Sequence, residues 1–147
     1  MAGEGWGAPK FVTGANEKYF FMCGILHESL RKHAPCTPLF VMDFGLNEAQ
    51  QRILDDKGMR LPMPAGLDAG MHPYKLKSSV DLYTGSKPGP WVWIDSDMMA
   101  VRDCDADLEA AWQGFRRDGI RLAMTRDMGP DTTLGSFSRR YETPKLR

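Results

Sequence analysis

A chain of 147 residues is long enough for one domain with a hydrophobic core and too short to expect two. Its 19 basic and 19 acidic residues cancel, so no basic face argues for nucleic-acid binding. Apolar runs stop well short of the roughly 20 residues that span a bilayer, and Met1–Lys10 lacks the charged-then-apolar layout of a signal peptide.

Cys23, Cys36 and Cys104 are odd in number and widely spaced, which fits neither a disulfide framework nor a zinc site. His27, His33 and His72 are scattered as well. These residues are read as structural or surface groups, and the expected location is cytoplasmic.

Along the chain, Phe11-Val12-Thr13 predicts a short strand that stops at Gly14-Ala15-Asn16. Asn16 can cap a helix beginning at Glu17, along which Tyr19, Met22, Cys23, Leu26 and Leu30 recur at helical spacing. Leu39-Phe40-Val41-Met42 is apolar at every position, as in a parallel strand covered on both faces, and ends at Asp43. Asn47 opens a second helix with Gln50 at the capping-box position and Gly58 placed to stop it. Met59 to Met63 reads as a brief edge strand, because Pro62 and Pro64 cannot donate to a ladder.

A third helix is expected from about Pro73 to Tyr83, with Leu76, Val80 and Tyr83 on one face. Trp91-Val92-Trp93-Ile94 is the strongest strand signal and runs into Asp95-Ser96-Asp97, with Met98 to Val101 as an extended continuation. Asp105 or Asp107 would cap a further helix with Leu108, Ala111, Trp112 and Phe115 inward and Gly119 closing it. Ile120 to Thr125 reads as one more strand, after which the pattern fades. This alternation predicts an α/β fold with a mostly parallel sheet flanked by helices.

Asp95 and Asp97 follow the most apolar strand, and in open α/β sheets ligands sit beyond the carboxyl ends of the strands. Carboxylates buried near that edge and one residue apart would repel each other. A hard cation such as Mg²⁺ or Mn²⁺ relieves both costs, since such ions prefer carboxylate oxygens. Asp103 and Asp105 read instead as turn or capping carboxylates.

Trp91 to Asp103 resembles the Asp-x-Asp strand of GT-A fold glycosyltransferases, particularly family 8-like enzymes and nucleotide-diphospho-sugar transferases. Phe11 to Tyr19 is similar to the first strand and loop that hold the nucleoside in that family. Phe40 to Asn47 resembles its second strand, and Tyr74-Lys75-Leu76-Lys77 sits where the family carries a basic residue facing the diphosphate. Together these segments span residues 10 to 125.

The resemblance implies a Rossmann-like GT-A domain, binding a UDP- or GDP-sugar with Mn²⁺ or Mg²⁺ and transferring the sugar to a hydroxyl acceptor. It implies Thr13, Gly14 and Ala15 beside the base and ribose, with Asn16 and Tyr19 adding polar and stacking contacts. Lys77, or else Lys75, would neutralise diphosphate charge. Asp95 would contact the ribose or the metal through water, Asp97 the metal more directly, and Ser96 the ligand.

The expected organisation is a flexible 1–9, a nucleotide-sugar-binding domain over 10–125, and an irregular 126–147 leading toward an acceptor half that is missing. The chain is therefore read as a fragment, in preference to a minimal variant or a subunit completed by another chain. A catalytically inactive nucleotide-binding module is the main rival. Haloacid dehalogenase-like phosphatases also use Asp-x-Asp after an apolar strand, but carry it early in the domain with Thr or Val where Met99 stands here.

Overall fold

The computed structural model describes residues 8–63, 84, 87 and 89–119. It is an α/β arrangement built on four parallel strands: β1 (Lys10–Ala15), β2 (Leu39–Asp43), β3 (Arg60–Leu61) and β4 (Trp91–Trp93). Three helices accompany them: α1 (Phe20–His33), α2 (Glu48–Asp56) and α3 (Asp105–Arg117). The sheet order is β3-β2-β1-β4. Phe11 pairs with Leu39 on one side of β1 and with Val92 on the other.

Strand periodicity splits the core into two faces. Phe11, Leu39, Val92 and Ile94 pack with Leu26 and Leu30 of α1 and Leu108 of α3, while Ala15 and Val41 pack with Cys23 of α1 and Leu54 of α2. The intervening residues Val12, Phe40, Met42, Trp91 and Trp93 gather on the opposite face with Phe44 and Leu61. Among the described residues, all three helices cover the first face. Val12, Leu26, Val41 and Met42 are fully buried, each contributing about 1.5–3 kcal/mol of apolar burial.

α1 begins at Phe20, later than the predicted Glu17. The Asn16 side chain does accept a bond from the Tyr19 amide, at 3.2 Å, but it caps a turn ahead of the helix. The Glu17 amide is committed elsewhere, donating to the Gly45 carbonyl at 2.9 Å. Cys23, Leu26 and Leu30 form the inward stripe as predicted, whereas Tyr19, outside the helix, is 42% exposed. Arg31, Lys32 and His33 occupy the last turn, where positive charge complements the helix dipole.

α2 follows the sequence closely. Asn47 and Gln50 form the reciprocal capping box, and Gly58 turns the chain with φ +64°. β3 is a two-residue edge strand, as Pro62 requires.

α3 departs from expectation at its start. Its N-cap is Cys104, which makes no side-chain cap bond, because the acids nearby have other partners. Asp105 accepts from the Cys36 amide at 2.9 Å and the Thr37 hydroxyl at 2.7 Å, and Asp107 pairs with Arg102. Trp112 is buried, Leu108 and Phe115 are half-buried, and Ala111 faces out, contrary to its predicted inward place. Gly119 ends the element at φ +69°. Met98 to Val101 is not a strand. The expected helix near Pro73–Tyr83, the strand at Ile120–Thr125, residues 126–147, and both Lys75 and Lys77 lie outside the described residues.

Candidate functional site

β1, β2 and β3 follow one another outward, with α1 and α2 crossing on the same face, as right-handed crossovers demand. β4 lies on the other side of β1. The direction of winding therefore reverses between β1 and β4, and the carboxyl ends of these neighbours form a topological switch point, where open α/β sheets carry ligands. Asp95 leaves β4 at that edge, since the Ile94 amide still donates to the Val12 carbonyl at 3.0 Å.

Beyond Ile94 the chain turns tightly, the Met98 amide closing on the Asp95 carbonyl at 3.1 Å. Trp93 and Asp95, two residues apart, share a face of the extended segment, and the Trp93 indole N–H donates to Asp95 Oδ1 at 2.6 Å. Both Asp95 and Asp97 are exposed, and Ser96 between them is half-buried. Water therefore screens the pair, and the burial cost that a cation was expected to relieve is absent. What stands at the turn is a pair of oxygen donors, one of them oriented by an indole.

Such a pair suits Mg²⁺ or Mn²⁺, which commonly takes one or two carboxylates and completes its shell with water and phosphate oxygens. Among the described residues, no three His, Cys, Asp or Glu side chains gather as a self-sufficient metal site.

On β1, Thr13 is fully buried and Ala15 nearly so. Thr13 shares the helix-covered face with Phe11 and Ala15, and among the described residues its hydroxyl has no hydrogen-bond partner. Gly14 faces the other way, directly beneath the Phe44 ring. Its lack of a side chain is thus accounted for by Phe44. Accessible groups begin at the following loop: Asn16, Glu17 and Lys18, with Gly45, line a shallow depression of about 440 Å³. Tyr19 stands exposed beside it, with the Lys18 ammonium 5.3 Å from its ring centre.

Two loops that leave the same sheet edge are stitched together here. The Phe44 amide donates to the Ala15 carbonyl, and the Glu17 amide to the Gly45 carbonyl, both at 2.9 Å. Asn47 Nδ2 donates to the Glu17 carboxylate at 3.0 Å, and Gln50 Nε2 to the Glu17 carbonyl at 3.1 Å. Buried Asp43 at the end of β2 accepts from the Gly45 and Leu46 amides and faces Arg60, which also clasps Asp55. Glu17, Lys18 and Gly45 were not singled out from the sequence. Their signal was present: two charged residues just past a strand end, and a glycine (φ +105° here) just past the next.

Among the described residues, other reactive side chains make structural contacts. Cys23 lies in the core, and burial pushes its thiol up to about 11, leaving it protonated near neutrality. His33 Nδ1 meets Asp103 Oδ1 at 3.0 Å, six residues past Asp97 in the chain. Asp103 and Asp105 therefore pin the α3 end of the chain to the α1–β2 connection.

Compared with known proteins, the chain matches no family model and no curated protein. Among the described residues, no helix is long and apolar enough to cross a membrane.

Proposed function

We propose that this chain binds a nucleoside-diphosphate sugar with Mn²⁺ or Mg²⁺ at the carboxyl edge of its sheet. On this reading it is the donor-binding portion of a GT-A type glycosyltransferase acting on a hydroxyl acceptor. The observation that supports it most is the switch point between β1 and β4, since the Asp95-Ser96-Asp97 turn and the β1–α1 loop both leave the sheet at the carboxyl ends of these neighbouring strands.

Asp97 is assigned as the direct metal ligand. Asp95, oriented by the Trp93 indole, is assigned to the metal or to the ribose through water. Tyr19 and Asn16 flank the depression at the β1–α1 loop and are the groups assigned to the nucleoside. Thr13, Gly14 and Ala15 contribute the strand that carries the loop, and only through backbone could they reach a ligand. Lys77 or Lys75 is retained for the diphosphate and Ser96 for a hydroxyl contact. Asp97, with Asp95, would hold the divalent ion, and the chemistry it would supply there is stabilisation of negative charge on a diphosphate leaving group.

Nucleotide-dependent thermal stabilisation tests this. UDP or GDP at about 100 times Kd should stabilise the protein by ~2.7 kcal/mol, which is roughly 5–10 °C in Tm for a chain of this size. The shift should require Mn²⁺ or Mg²⁺ and disappear in Asp97→Ala. A metal-independent shift, or none with any nucleoside diphosphate, would remove the proposal. Hydrolysis of a sugar donor distinguishes an active domain from one that only binds, and phosphatase turnover would place the chain in the rival class.

A further inference from the structure

We propose that Ser29 of α1 is a positioning residue that fixes the Asp95–Asp97 turn, and so deepens the metal-binding role assigned to that turn above. On its β4 side the turn is held by strand pairing through Ile94. On its far side the chain runs as a strap from Met98 to Asp103, and most of that strap gains little from burial. Met98 is 52%, Met99 59% and Val101 77% exposed. Something other than apolar packing must set where Asp97 lies.

Among the described residues, the first attachment beyond the turn is three residues past Asp97, where the Ala100 amide donates to Ser29 Oγ at 3.0 Å. The same hydroxyl donates to the Leu26 carbonyl at 2.8 Å. With its proton committed to Leu26, the hydroxyl has a lone pair aimed at the strap, and its rotor is locked. Ala100 also packs its methyl against the Phe11–Leu26–Leu30 cluster, so the bond is half-buried and registered by a fitted side chain. Two further pins lie beyond it, Asp103 on His33 and the Cys104 amide on the His33 carbonyl at 2.8 Å. These anchor the α3 end; among the described residues, the bond to Ser29 is the hydrogen bond that ties the stretch between Met98 and Val101 to another element.

α1 thus acts as the platform for the carboxylate turn. Loss of a single hydrogen bond of ordinary strength changes a local equilibrium by about fivefold. A turn that wanders must be reordered by the ion it binds, so metal affinity falls by a similar factor.

Residue-resolved amide exchange on the metal-free protein, with Mn²⁺ titration followed by the free-ion paramagnetic signal, decides the matter. In Ser29→Ala the Ala100 and Met98 amides should exchange about five times faster, while Val12 and Val41 in the sheet keep their rates. Mn²⁺ affinity should drop by a similar factor, and Ser29→Thr, which keeps the hydroxyl, should restore both. Unchanged exchange at Ala100, an equal rise at Val12 and Val41, unchanged Mn²⁺ affinity in a protein that binds it, or no restoration by threonine would each overturn the assignment. If the wild-type chain takes up no Mn²⁺, the donor-binding reading fails on its own, and the exchange comparison still decides whether Ser29 orders the turn.

Discussion

Gly14→Ala separates two reasons for a small residue at the end of β1. A Cβ on Gly14 would lie 2.1 Å from Phe44 Cε2, 2.6 Å from Cδ2 and 2.8 Å from Cζ, all inside the 3.0 Å that real Cβ atoms respect. The ring cannot simply swing away. It is 8% exposed and packed on Val12, Met42 and Leu61. Its backbone amide holds the Ala15 carbonyl, and the next two amides hold Asp43. Overpacking of this kind costs about 1–3 kcal/mol. Taking ~2 kcal/mol and a urea m-value of ~2 kcal/mol/M, the unfolding midpoint should fall by roughly 1 M. Tryptophan fluorescence reports the transition. Phe44→Leu removes Cε2 and Cζ and leaves only rotatable Cδ methyls near Gly14, so the double variant should recover about 1–2 kcal/mol relative to the sum of the single changes. A midpoint for Gly14→Ala within ~0.2 M of wild type, or an equal loss in the Phe44→Leu background, would refute the steric account. Stability kept but nucleotide binding lost would return Gly14 to the ligand.

Thr13→Val should raise stability by about 1 kcal/mol in the same urea experiment, because it replaces a fully buried hydroxyl that has no partner among the described residues with a methyl of similar size. A decrease would mean the hydroxyl is satisfied in solution. Asp105 carries a pH signature. Burial pushes its carboxyl up, but the Cys36 amide and the Thr37 hydroxyl outweigh that and hold it below the usual range. An acid depressed by folding stabilises above its unfolded pKa and ceases to do so as pH falls through the folded one. Asp105→Asn should therefore lose about 1–2 kcal/mol at pH 7, and its stability curve should begin to approach wild type as pH falls below about 4 and meet it only below the lowered folded pKa. Curves that stay parallel into acid would show that the charge is immaterial.

Local pattern carried most of the elements. β2 was legible from an unbroken apolar run, α2 from Asn47, Gln50 and Gly58, and β4 from Trp91 to Ile94, each set by neighbours in sequence. Errors fell where a distant group competed for a local one. Glu17 was read as the first helical residue, yet its amide is taken by Gly45 across the sheet edge. Asp105 was read as a cap, yet Cys36 and Thr37 claim its oxygens from 68–69 residues away. The carboxylate turn was visible as a motif, but its exposure and its tie to Ser29 depend on β4 settling beside β1, and no period in the chain encodes strand order. Glu17 and Lys18 were overlooked because they were read inside the first helix, and the second loop that meets them is brought there by strand pairing.

The α2 capping box has a consequence for which substitutions the fold will accept. Serine at the first position and glutamate at the fourth are a common solution and would cap the helix equally well. Here both positions carry amides, and each amide works at both ends: its oxygen serves the helix while its nitrogen holds Glu17. Exchanging Asn47 and Gln50 for the serine–glutamate pair would preserve every acceptor and delete both donors, and would set a new negative charge near Glu17. A change conservative for α2 alone would leave the β1–α1 loop to its backbone bonds with Phe44 and Gly45, so a helix that looks unconnected to the depression helps hold its shape.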